Sequence, residues 1–387
     1  MAAVAVAVAL VAAACSSGAE SASSEAESVE QIEAGQREAT GSALVNMTAE
    51  GLPEPLVDPA EVMSGGPPPD GIPPIDNPKF LPATEVGFLE ANEPVLSLEV
   101  EGETRAYPIQ VMIWHEIVND TYGDTPVTVT YCPLCNTGVA FDRRLGDRVL
   151  DFGTSGKLYQ SALVMYDRQT ESLWSHFTGE AFAGVLTGEI LERLPVATVS
   201  WGDWLAANPE GLVLSRDTGE TRPYGQNPYP GYDDIAEDPF AFRGDTDERL
   251  EAKQRVLGAG VNTDPTAVVA DALLDTGTIA FDLDGRQVVA WALPGTASAL
   301  EAFEVSDGRD VGATGVFETE LDGRQLTFTR TETGFTDNET GSEWNVLGEA
   351  TAGPLVGSKL TAVEHVDTFW FAWAAFAPDT RLITEVP

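Results

Sequence analysis

The chain is short of cysteine and histidine. Its 387 residues include 3 cysteines and 3 histidines. After Cys15, the only thiols belong to Cys132 and Cys135, in the segment Cys-Pro-Leu-Cys. A second Cys-x-x-Cys pair, as in a four-cysteine zinc site, is missing, and so is the Cys-x-x-Cys-His sequence that attaches haem, because Asn136 follows. Any thiol or soft-metal chemistry is therefore expected at this tetrapeptide.

Positive charge is scarce as well. The 62 Asp and Glu residues outnumber the 21 Lys and Arg residues, which gives a formal net charge of -41 at pH 7. A surface with this excess of negative charge repels nucleic acid and anionic lipid headgroups. We therefore expect no nucleic-acid partner, and the charge by itself indicates nothing about catalysis.

Long apolar runs are missing except at the N-terminus. Residues 1–14 form a run that is too short for a transmembrane helix but typical of the core of an export signal. Cys15 follows three alanines and precedes Ser-Ser-Gly, as at a bacterial lipoprotein processing site. The sequence thus predicts a signal peptide over residues 1–15, cleaved before Cys15. It also predicts lipidation of Cys15 and an extracytoplasmic protein anchored to the outer face of the cell membrane.

The segment that follows, residues 16–65, is rich in Ala, Ser, Glu and Gly and poor in aromatic residues. It offers too little apolar surface to offset the entropy lost on ordering, so it is predicted to be a disordered acidic tether. The remaining residues are enough for two packed units of ordinary size.

The second part of the folded region repeats the pattern of the first. The matching segments are 137–139 with 314–316, 167–174 with 337–344, 179–184 with 348–353, and 201–204 with 370–373. Ordered matches of Gly and Trp over this length indicate an internal repeat. We expect a first β-rich unit over residues 66–240 that carries the Cys-x-x-Cys site, and a second, degenerate unit over residues 241–387.

The second unit lacks the thiols. When the repeat spacing is carried back along the chain, Cys132 and Cys135 fall opposite Arg309 and Gly312. The second unit keeps the Gly and Trp residues of the pattern but not the cysteines. This asymmetry favours a functional role for the cysteine pair over a purely structural one.

Local patterns indicate the fold class. Alternating β-branched segments such as 95–100 and 127–131 predict strands. Segment 108–120 begins with a proline and predicts a short helix, which would return His115 toward the strand that carries the cysteines. The expected fold is mainly β, an α+β arrangement with a few short helices, in two degenerate tandem repeats of one β-rich unit.

The residues leave three uses of the cysteine pair open. In the leading hypothesis the pair cycles between dithiol and disulfide as a thiol oxidoreductase, with one thiol attacking, the other resolving and His115 as base or thiolate partner. A strand rather than a helix is expected after Cys135, which argues against a glutaredoxin-like fold. Alternatively, the pair forms an inert disulfide in a scaffold protein within an oxidising compartment.

The third use is a non-enzymatic metal site. Cys132, Cys135 and His115 would bind copper or zinc, and a fourth ligand would come from His176, Glu116 or Asp167. No cofactor follows with certainty from the sequence. Either activity, redox or metal binding, implies a partner protein that exchanges electrons or metal with this chain.

Six motifs occur in order along the chain, at residues 70–80, 105–108, 115–120, 130–135, 165–170 and 172–174. Together they resemble a bacterial family known as domain of unknown function 3179, over nearly all of residues 65–387. The resemblance implies an extracytoplasmic or lipid-anchored protein and supplies no established activity. It implies His115, Cys132 and Cys135 as the site, and it weakens His176 as a ligand because that position in the family is often Gln.

Overall fold

The computed structural model describes residues 41–384, which are mainly β with four short α-helices. The strands of the first half are β1 Met63–Ser64, β2 Phe80–Pro82, β3 Pro94–Val100, β4 Glu103–Pro108, β5 Ile117–Tyr122, β6 Thr125–Cys132, β7 Thr137–Asp142, β8 Arg144–Leu145, β9 Arg148–Val149, β10 Phe152–Tyr159, β11 Ala162–Asp167, β12 Leu173–Ser175, β13 Ala181–Ala183, β14 Arg193–Leu194, β15 Val196–Ser200 and β16 Leu212–Leu214. Those of the second half are β17 Arg255–Ala259, β18 Thr266–Val269, β19 Thr278–Leu283, β20 Arg286–Leu293, β21 Ala313–Glu318, β22 Glu320–Leu321, β23 Arg324–Gln325, β24 Phe328–Arg330, β25 Phe335–Asp337, β26 Glu343–Trp344, β27 Ala350–Ala352, β28 His365–Phe369 and β29 Arg381–Ile383. The α-helices are α1 Ile109–Met112, α2 Trp201–Ala207, α3 Ala270–Thr276 and α4 Trp370–Phe376.

Three main sheets build the first half, with the strand orders β15-β3-β4-β16-β2, β14-β7-β6-β5 and β1-β10-β11-β12-β13. The strand β6 is buried along its whole length and lies between β5 and β7, with which it pairs in antiparallel fashion. A strand with neighbours on both sides and an apolar sequence is held firmly in register. The hairpin of β6 and β7 therefore fixes the position of the cysteine motif, which forms its loop.

The second half repeats the order of elements of the first, except that β1, β2 and β14 have no counterpart among its strands. Its sheets are β28-β17-β18-β29, β19-β20-β21 and β24-β25-β26-β27. In each half, the strand that follows the second α-helix pairs in parallel with its neighbour: β16 pairs with β4, and β29 pairs with β18. A short helix also follows the corresponding strand in both halves, α2 after β15 and α4 after β28. The shared topology is a feature of the structure, while duplication of an ancestral unit stays a prediction.

Both halves contain the same buried hydrogen-bond network. In each, an aspartate accepts hydrogen bonds from the backbone N–H three residues later, at 2.6 and 2.5 Å, and from the indole seven residues later, at 2.9 and 3.0 Å. These residues are Asp167, Thr170 and Trp174 in the first half, and Asp337, Thr340 and Trp344 in the second. The buried carboxylates are thus satisfied, so the motif shared by the two segments has a structural reason.

The hairpin loops of the two halves differ. Cys132 pairs with Thr137 across the first loop, and Ala292 pairs with Thr314 in the second half. The strand pairing therefore places Ala292, and not Arg309, at the position of Cys132. The prediction from constant spacing was wrong because residues 294–312 form a longer loop in the second half.

Segment 108–120 departs from the predicted helix. The helix α1 ends at Met112. Strand β5 begins at Ile117, which lies opposite Thr130 in the antiparallel pairing with β6. Between them, Glu116 has a φ of 60°, which breaks the helical path. The β-branched residues that follow favour a buried strand over continuation of the helix.

The described part of the predicted tether packs against the first half. Ala43 and Met47 are buried in an apolar cluster with strand residues, and Met63–Ser64 pairs with β10. Residues 41–65 are therefore ordered on the body, in contrast to the tether interpretation. The signal peptide, the lipidation of Cys15 and residues 16–40 lie outside the described residues. Within residues 41–384, no helix has the length and apolar character needed to cross a membrane.

The main apolar core is shared by the two halves. It contains Val129, Cys132 and Cys135 from the first half together with Phe369 and Trp373 from the second. Burial of this joint surface stabilises the contact between the halves at roughly 25 cal/mol per Å² of apolar area. The cysteine motif thus lies where the halves meet.

Candidate cysteine–histidine site

The cysteine motif occupies a hairpin loop. Cys132 is the last residue of β6, Cys135 lies in the turn, and β7 begins at Thr137. The N–H of Asn136 donates to the carbonyl of Pro133 at 3.3 Å, and Asn136 itself has a φ of 54°. A non-glycine residue in this region carries conformational strain, which is often found at functional sites. No helix follows the motif, which agrees with the expectation against a glutaredoxin-like arrangement.

The second half holds the backbone of this loop. The carbonyl of Cys135 accepts hydrogen bonds from the Thr368 hydroxyl at 2.9 Å and from the Phe369 N–H at 3.1 Å. The Thr137 hydroxyl also lies 3.1 Å from this carbonyl and 2.8 Å from the Thr368 hydroxyl. Several donors on one buried carbonyl restrict the loop, so the second half positions the Cys135 thiol.

His176 is the imidazole next to the thiols. It follows β12, and its Nε2 lies 3.9 Å from the Sγ of Cys135. The ligand atoms of Cys132, Cys135 and His176 all lie within 4.8 Å of one another, and all three residues are buried. Among residues 41–384, this is the group that combines both thiols with an imidazole.

The tautomer of His176 follows from its second nitrogen. The Thr130 hydroxyl donates to the carbonyl of Val139 at 3.2 Å, so its oxygen is left to accept the Nδ1–H of His176 at 2.7 Å. Nε2 then carries the lone pair and faces Cys135. A nitrogen in this state can accept a proton from a thiol or bind a metal ion.

The surroundings keep His176 neutral. Burial, together with a smaller contribution from the nearby guanidinium of Arg193, lowers its pKa to about 3. Burial favours the uncharged imidazole, and a neighbouring positive charge disfavours a second one. At neutral pH the ring is therefore an acceptor toward Cys135.

The two thiols have different acidities. Burial raises the pKa of Cys132, but hydrogen bonds from the Cys135 thiol and from the backbone N–H groups of Cys135, Leu163 and Leu134 outweigh it, so the pKa lies below its ordinary value. Burial and the neighbouring Cys132 raise the pKa of Cys135 well above its ordinary value. Cys132 is therefore the thiol that ionises first, and Cys135 keeps its proton.

The structure does not bring His115 to the thiols. Its Nδ1 lies 2.7 Å from the carbonyl of Pro73, and its Nε2 lies 2.7 Å from the hydroxyl of Tyr224. Both ring nitrogens thus have partners in other loops. The prediction that His115 shares the cysteine site is corrected, because the turn at Glu116 directs the ring of His115 toward these loops.

The other candidates from the sequence have different places. Glu116 is buried and lies near the sulfur of Cys132, and burial together with that sulfur raises its pKa well above the ordinary value. Asp167 is engaged by Thr170 and Trp174 and does not belong to the cysteine–histidine group. His365 is buried, with its Nδ1 2.8 Å from the carbonyl of Val363.

A cleft of about 310 Å³ lies beside the cysteine loop. Most of its lining is apolar or aromatic, and Glu116 and Lys157 are the acidic and basic residues among the lining residues. The lining residues are Gly65, Pro67, Ile72, Glu116, Leu134, Thr154, Gly156, Lys157, Leu158, Leu163, Tyr229, Tyr232 and Phe240. Sequence reasoning did not find this cleft, since its walls come from five separate segments of the chain.

One signal in the sequence marks His176 as a candidate. It lies two residues after Trp174, in the segment that repeats, and Val346 stands at the matching distance after Trp344. The second half therefore lacks both the thiols and this imidazole. His115 has no histidine counterpart in the second half either, so this absence is consistent with His176 as the partner of the cysteines but does not choose between the two histidines.

The fold and the site define a β-rich protein with a buried cysteine–cysteine–histidine group at the contact of two halves of like topology. The chain belongs to the family described as protein of unknown function (DUF3179), whose family model matches residues 69–380. Neither a search among curated proteins nor a search among solved structures finds a match.

Proposed function

We propose that the protein catalyses thiol–disulfide exchange through Cys132 and Cys135. The observation that carries this proposal is the arrangement of the two thiols with His176, within 4.8 Å of one another, beside a cleft that a substrate can enter. A dithiol that ionises at one sulfur and keeps a proton at the other suits the attacking and resolving roles of an exchange reaction.

The roles follow from the acidities and contacts. The Cys132 thiolate attacks one sulfur of a substrate disulfide, a new S–S bond forms to Cys132, and the other substrate sulfur leaves and takes up a proton. Once Cys132 is part of the mixed disulfide, its negative charge no longer raises the pKa of Cys135. The sulfur of Cys135 then attacks the sulfur of Cys132, and its proton passes to the Nε2 of His176 as the new S–S bond forms; His176 relays this proton and does not hold it, because its own pKa is about 3. The second substrate thiol leaves with that proton. The substrate disulfide is reduced to two thiols, and the cysteine pair is oxidised to a disulfide.

Trapping of the mixed disulfide tests this assignment. In the Cys15→Ser chain, a Cys135→Ser variant leaves the intermediate on Cys132 without a resolving thiol, so incubation with a small disulfide should give one stable adduct at Cys132 by mass spectrometry. A Cys132→Ser variant is the matched control and should form little adduct under the same conditions. Equal adduct formation in both variants would contradict the assignment of Cys132 as the attacking thiol.

A second function has a specific observation in its favour. His176 donates its Nδ1–H to Thr130 and directs the lone pair of Nε2 toward the cysteines. Histidines that bind metals commonly have the second nitrogen held in this way. Two thiolates and one imidazole in a buried site suit copper(I) or zinc. We propose metal binding by Cys132, Cys135 and His176 as the alternative function.

Metal analysis separates the two functions. The reduced protein would be incubated with copper(I) or with zinc, desalted and measured for bound metal. Metal binding predicts about one ion per chain, lost in His176→Gln and kept in His115→Gln, since the His115 ring is engaged elsewhere. Retention of metal in His176→Gln would exclude the site, and an absence of both metal and exchange would favour the scaffold with an inert disulfide.

A further inference from the structure

We infer that the cleft beside the cysteine loop binds small, uncharged, apolar disulfides and thiols, and that these are the substrates which exchange with Cys132. This inference rests on the proposed function and specifies its substrate class. It is carried by the position of the cleft, by the character of its walls and by the way in which the second half supports one of them.

The cleft lies close to the attacking sulfur. Leu134 and Leu163 line it, and the backbone N–H groups of both residues face the sulfur of Cys132. Glu116 also lines the cleft and lies near the same sulfur. The residues between a ligand in the cleft and the sulfur of Cys132 therefore include Leu134 of the cysteine loop and Leu163 of β11. Cys132 itself is 1% exposed, so reaction requires a small displacement of that loop.

The walls favour an apolar ligand. Ile72, Leu158, Tyr229 and Phe240 contribute aliphatic and aromatic surface, as is typical of small-molecule sites. The volume of about 310 Å³ admits a small molecule and excludes a folded protein. Burial of apolar ligand surface in such a cleft contributes roughly 25 cal/mol per Å² to binding.

The charges disfavour an anionic ligand. Burial holds the pKa of the wall residue Glu116 well above its ordinary value, which favours its uncharged form, and the whole chain carries a formal net charge of -41. An anionic disulfide would approach a chain of high negative charge and would lose the hydration of its carboxylates in a mostly apolar, low-dielectric cleft. Lys157 is the one cation among the lining residues, all of which belong to the described part of the chain.

The wall that contains Tyr229 and Tyr232 is held in place by hydrogen bonds to other parts of the chain. It belongs to residues 224–243, which we name the tyrosine loop. This loop is bonded to the long loop 294–312 of the second half, with the N–H of Gly231 2.7 Å from the carbonyl of Glu301. The ammonium of Lys253 donates to the carbonyl of Tyr232 at 2.7 Å and lies 4.2 Å from the centre of its ring. The loop insertion in the second half thus supports a wall of the cleft.

Two aromatic disulfides of different charge test the inference. The full chain with Cys15→Ser, reduced, would react with uncharged 4,4′-dithiodipyridine and with 5,5′-dithiobis(2-nitrobenzoate), which carries two carboxylates. The rate with the uncharged reagent should saturate with concentration. For each reagent, the rate with the folded chain is divided by the rate with the urea-unfolded chain. This ratio should be about tenfold lower for the anionic reagent than for the uncharged one.

Phe240 and Phe303 provide matched variants, since they are exposed to nearly the same extent, 55% and 56%, and only Phe240 lines the cleft. Phe240→Asp should slow the uncharged reagent about tenfold through lost apolar contact and added charge. Phe303→Asp should leave the rate unchanged. Because both side chains face solvent, neither substitution removes a buried core residue.

The outcomes separate this inference from the proposed function. If Cys132 exchanges but its rate rises linearly with reagent concentration and Phe240→Asp has no effect, the cleft is not the binding site and the exchange function stands. The assignment of uncharged substrates would be overturned if the folded chain reacted faster with the anionic reagent than with the uncharged one, and if Lys157→Met abolished this difference. If the folded chain exchanges with neither reagent, both proposals fail. Binding of 4,4′-dithiodipyridine to the Cys132→Ser, Cys135→Ser chain, followed by calorimetry, would then still report whether the cleft accepts apolar ligands.

Discussion

At the scale of single residues, the properties of the site come from burial combined with a few directed hydrogen bonds. His176 is neutral because it is buried beside Arg193, and its Nε2 faces Cys135 because Thr130 holds the other nitrogen. The two thiols differ for a related reason, since backbone N–H groups face the sulfur of Cys132. Each group is thereby prepared for one role in proton or sulfur transfer.

The neutral state of His176 predicts a dependence of stability on pH. Its pKa falls from 6.5 in the ordinary state to about 3 in the fold, so the unfolded chain binds a proton that the folded chain does not over this range. Stability is therefore complete above pH 6.5 and is lost as the pH falls toward 3. The loss attributable to this residue should reach up to about 5 kcal/mol.

Urea titrations at several pH values measure this effect. The free energy of unfolding should fall less between pH 6.5 and pH 3 in His176→Gln than in the natural chain, because glutamine has no proton to gain in this range. Identical slopes in the two chains would show that His176 is not held neutral by the fold.

Single residues also show what the sequence could predict of the site. The cysteine pair was identifiable because the chain has no other thiols after Cys15. The imidazole was assigned to His115, which is near Cys132 along the chain, whereas His176 reaches the site from a neighbouring sheet. Such a contact depends on how sheets pack, which local sequence patterns do not encode.

At the scale of elements, the cysteine loop and the tyrosine loop act together. The phenol of Tyr232 donates to the carbonyl of Leu134 at 3.0 Å and accepts the N–H of Phe240 at 3.2 Å. The hydroxyl therefore connects the loop that carries the thiols to the loop that forms a wall of the cleft. Since Cys132 is buried, this connection restricts the access of reagents to its sulfur.

Removal of this hydroxyl should open the site. Tyr232→Phe keeps the ring and loses the bond to Leu134, which contributes about 0.5–1.5 kcal/mol. We expect the reaction of Cys132 with iodoacetamide to be about two- to tenfold faster. Tyr159→Phe is a suitable control, because Tyr159 packs on Phe182 and does not contact the motif. Equal or slower alkylation of Tyr232→Phe would contradict the proposed restriction.

The sequence predicted elements unevenly. Strands β3 and β6 were predictable from β-branched alternation, and the helices α2 and α4 were predictable from the prolines that follow them, Pro209 and Pro378. The stretch after α1 was predicted as helix but forms β5, since pairing with β6 in a buried sheet outweighs local preference. The cleft escaped prediction because its walls meet only in the folded chain.

At the scale of the whole molecule, the second half supports the site of the first. Strand β28 supplies two donors to the carbonyl of Cys135, and loop 294–312 is bonded to the tyrosine loop. The shared core extends across both halves. A half without thiols thus has a structural role in thiol chemistry. The sequence indicated that the second half lacked the site residues but gave no sign of this support.

A substitution in the second half should therefore alter the thiols of the first. Thr368→Val removes the hydroxyl that donates to Cys135 and should reduce the free energy of unfolding by about 1–3 kcal/mol while accelerating thiol alkylation. Thr314→Val is the matched control. It loses a hydroxyl bond to Asp367 without contact to the motif, so it should destabilise without changing alkylation. Unchanged alkylation in Thr368→Val would contradict the supporting role.

The net charge of the molecule makes a further prediction. With a formal charge of -41, repulsion between carboxylates opposes folding, and salt screens it. The melting temperature should rise as sodium chloride is increased to about 1 M, where the screening length is near 3 Å. Equal concentrations of a neutral osmolyte control for effects other than screening. A melting temperature that falls with salt would show that attractive ion pairs dominate.

The most direct test of the exchange function is the reduction potential of the Cys132–Cys135 pair. The Cys15→Ser chain would be equilibrated in dithiothreitol buffers of defined potential, quenched with an alkylating agent and scored by mass. We expect a reversible two-electron transition between roughly -120 and -270 mV, the range of catalytic pairs. A disulfide that remains oxidised below about -300 mV, as structural disulfides do, would contradict the exchange function.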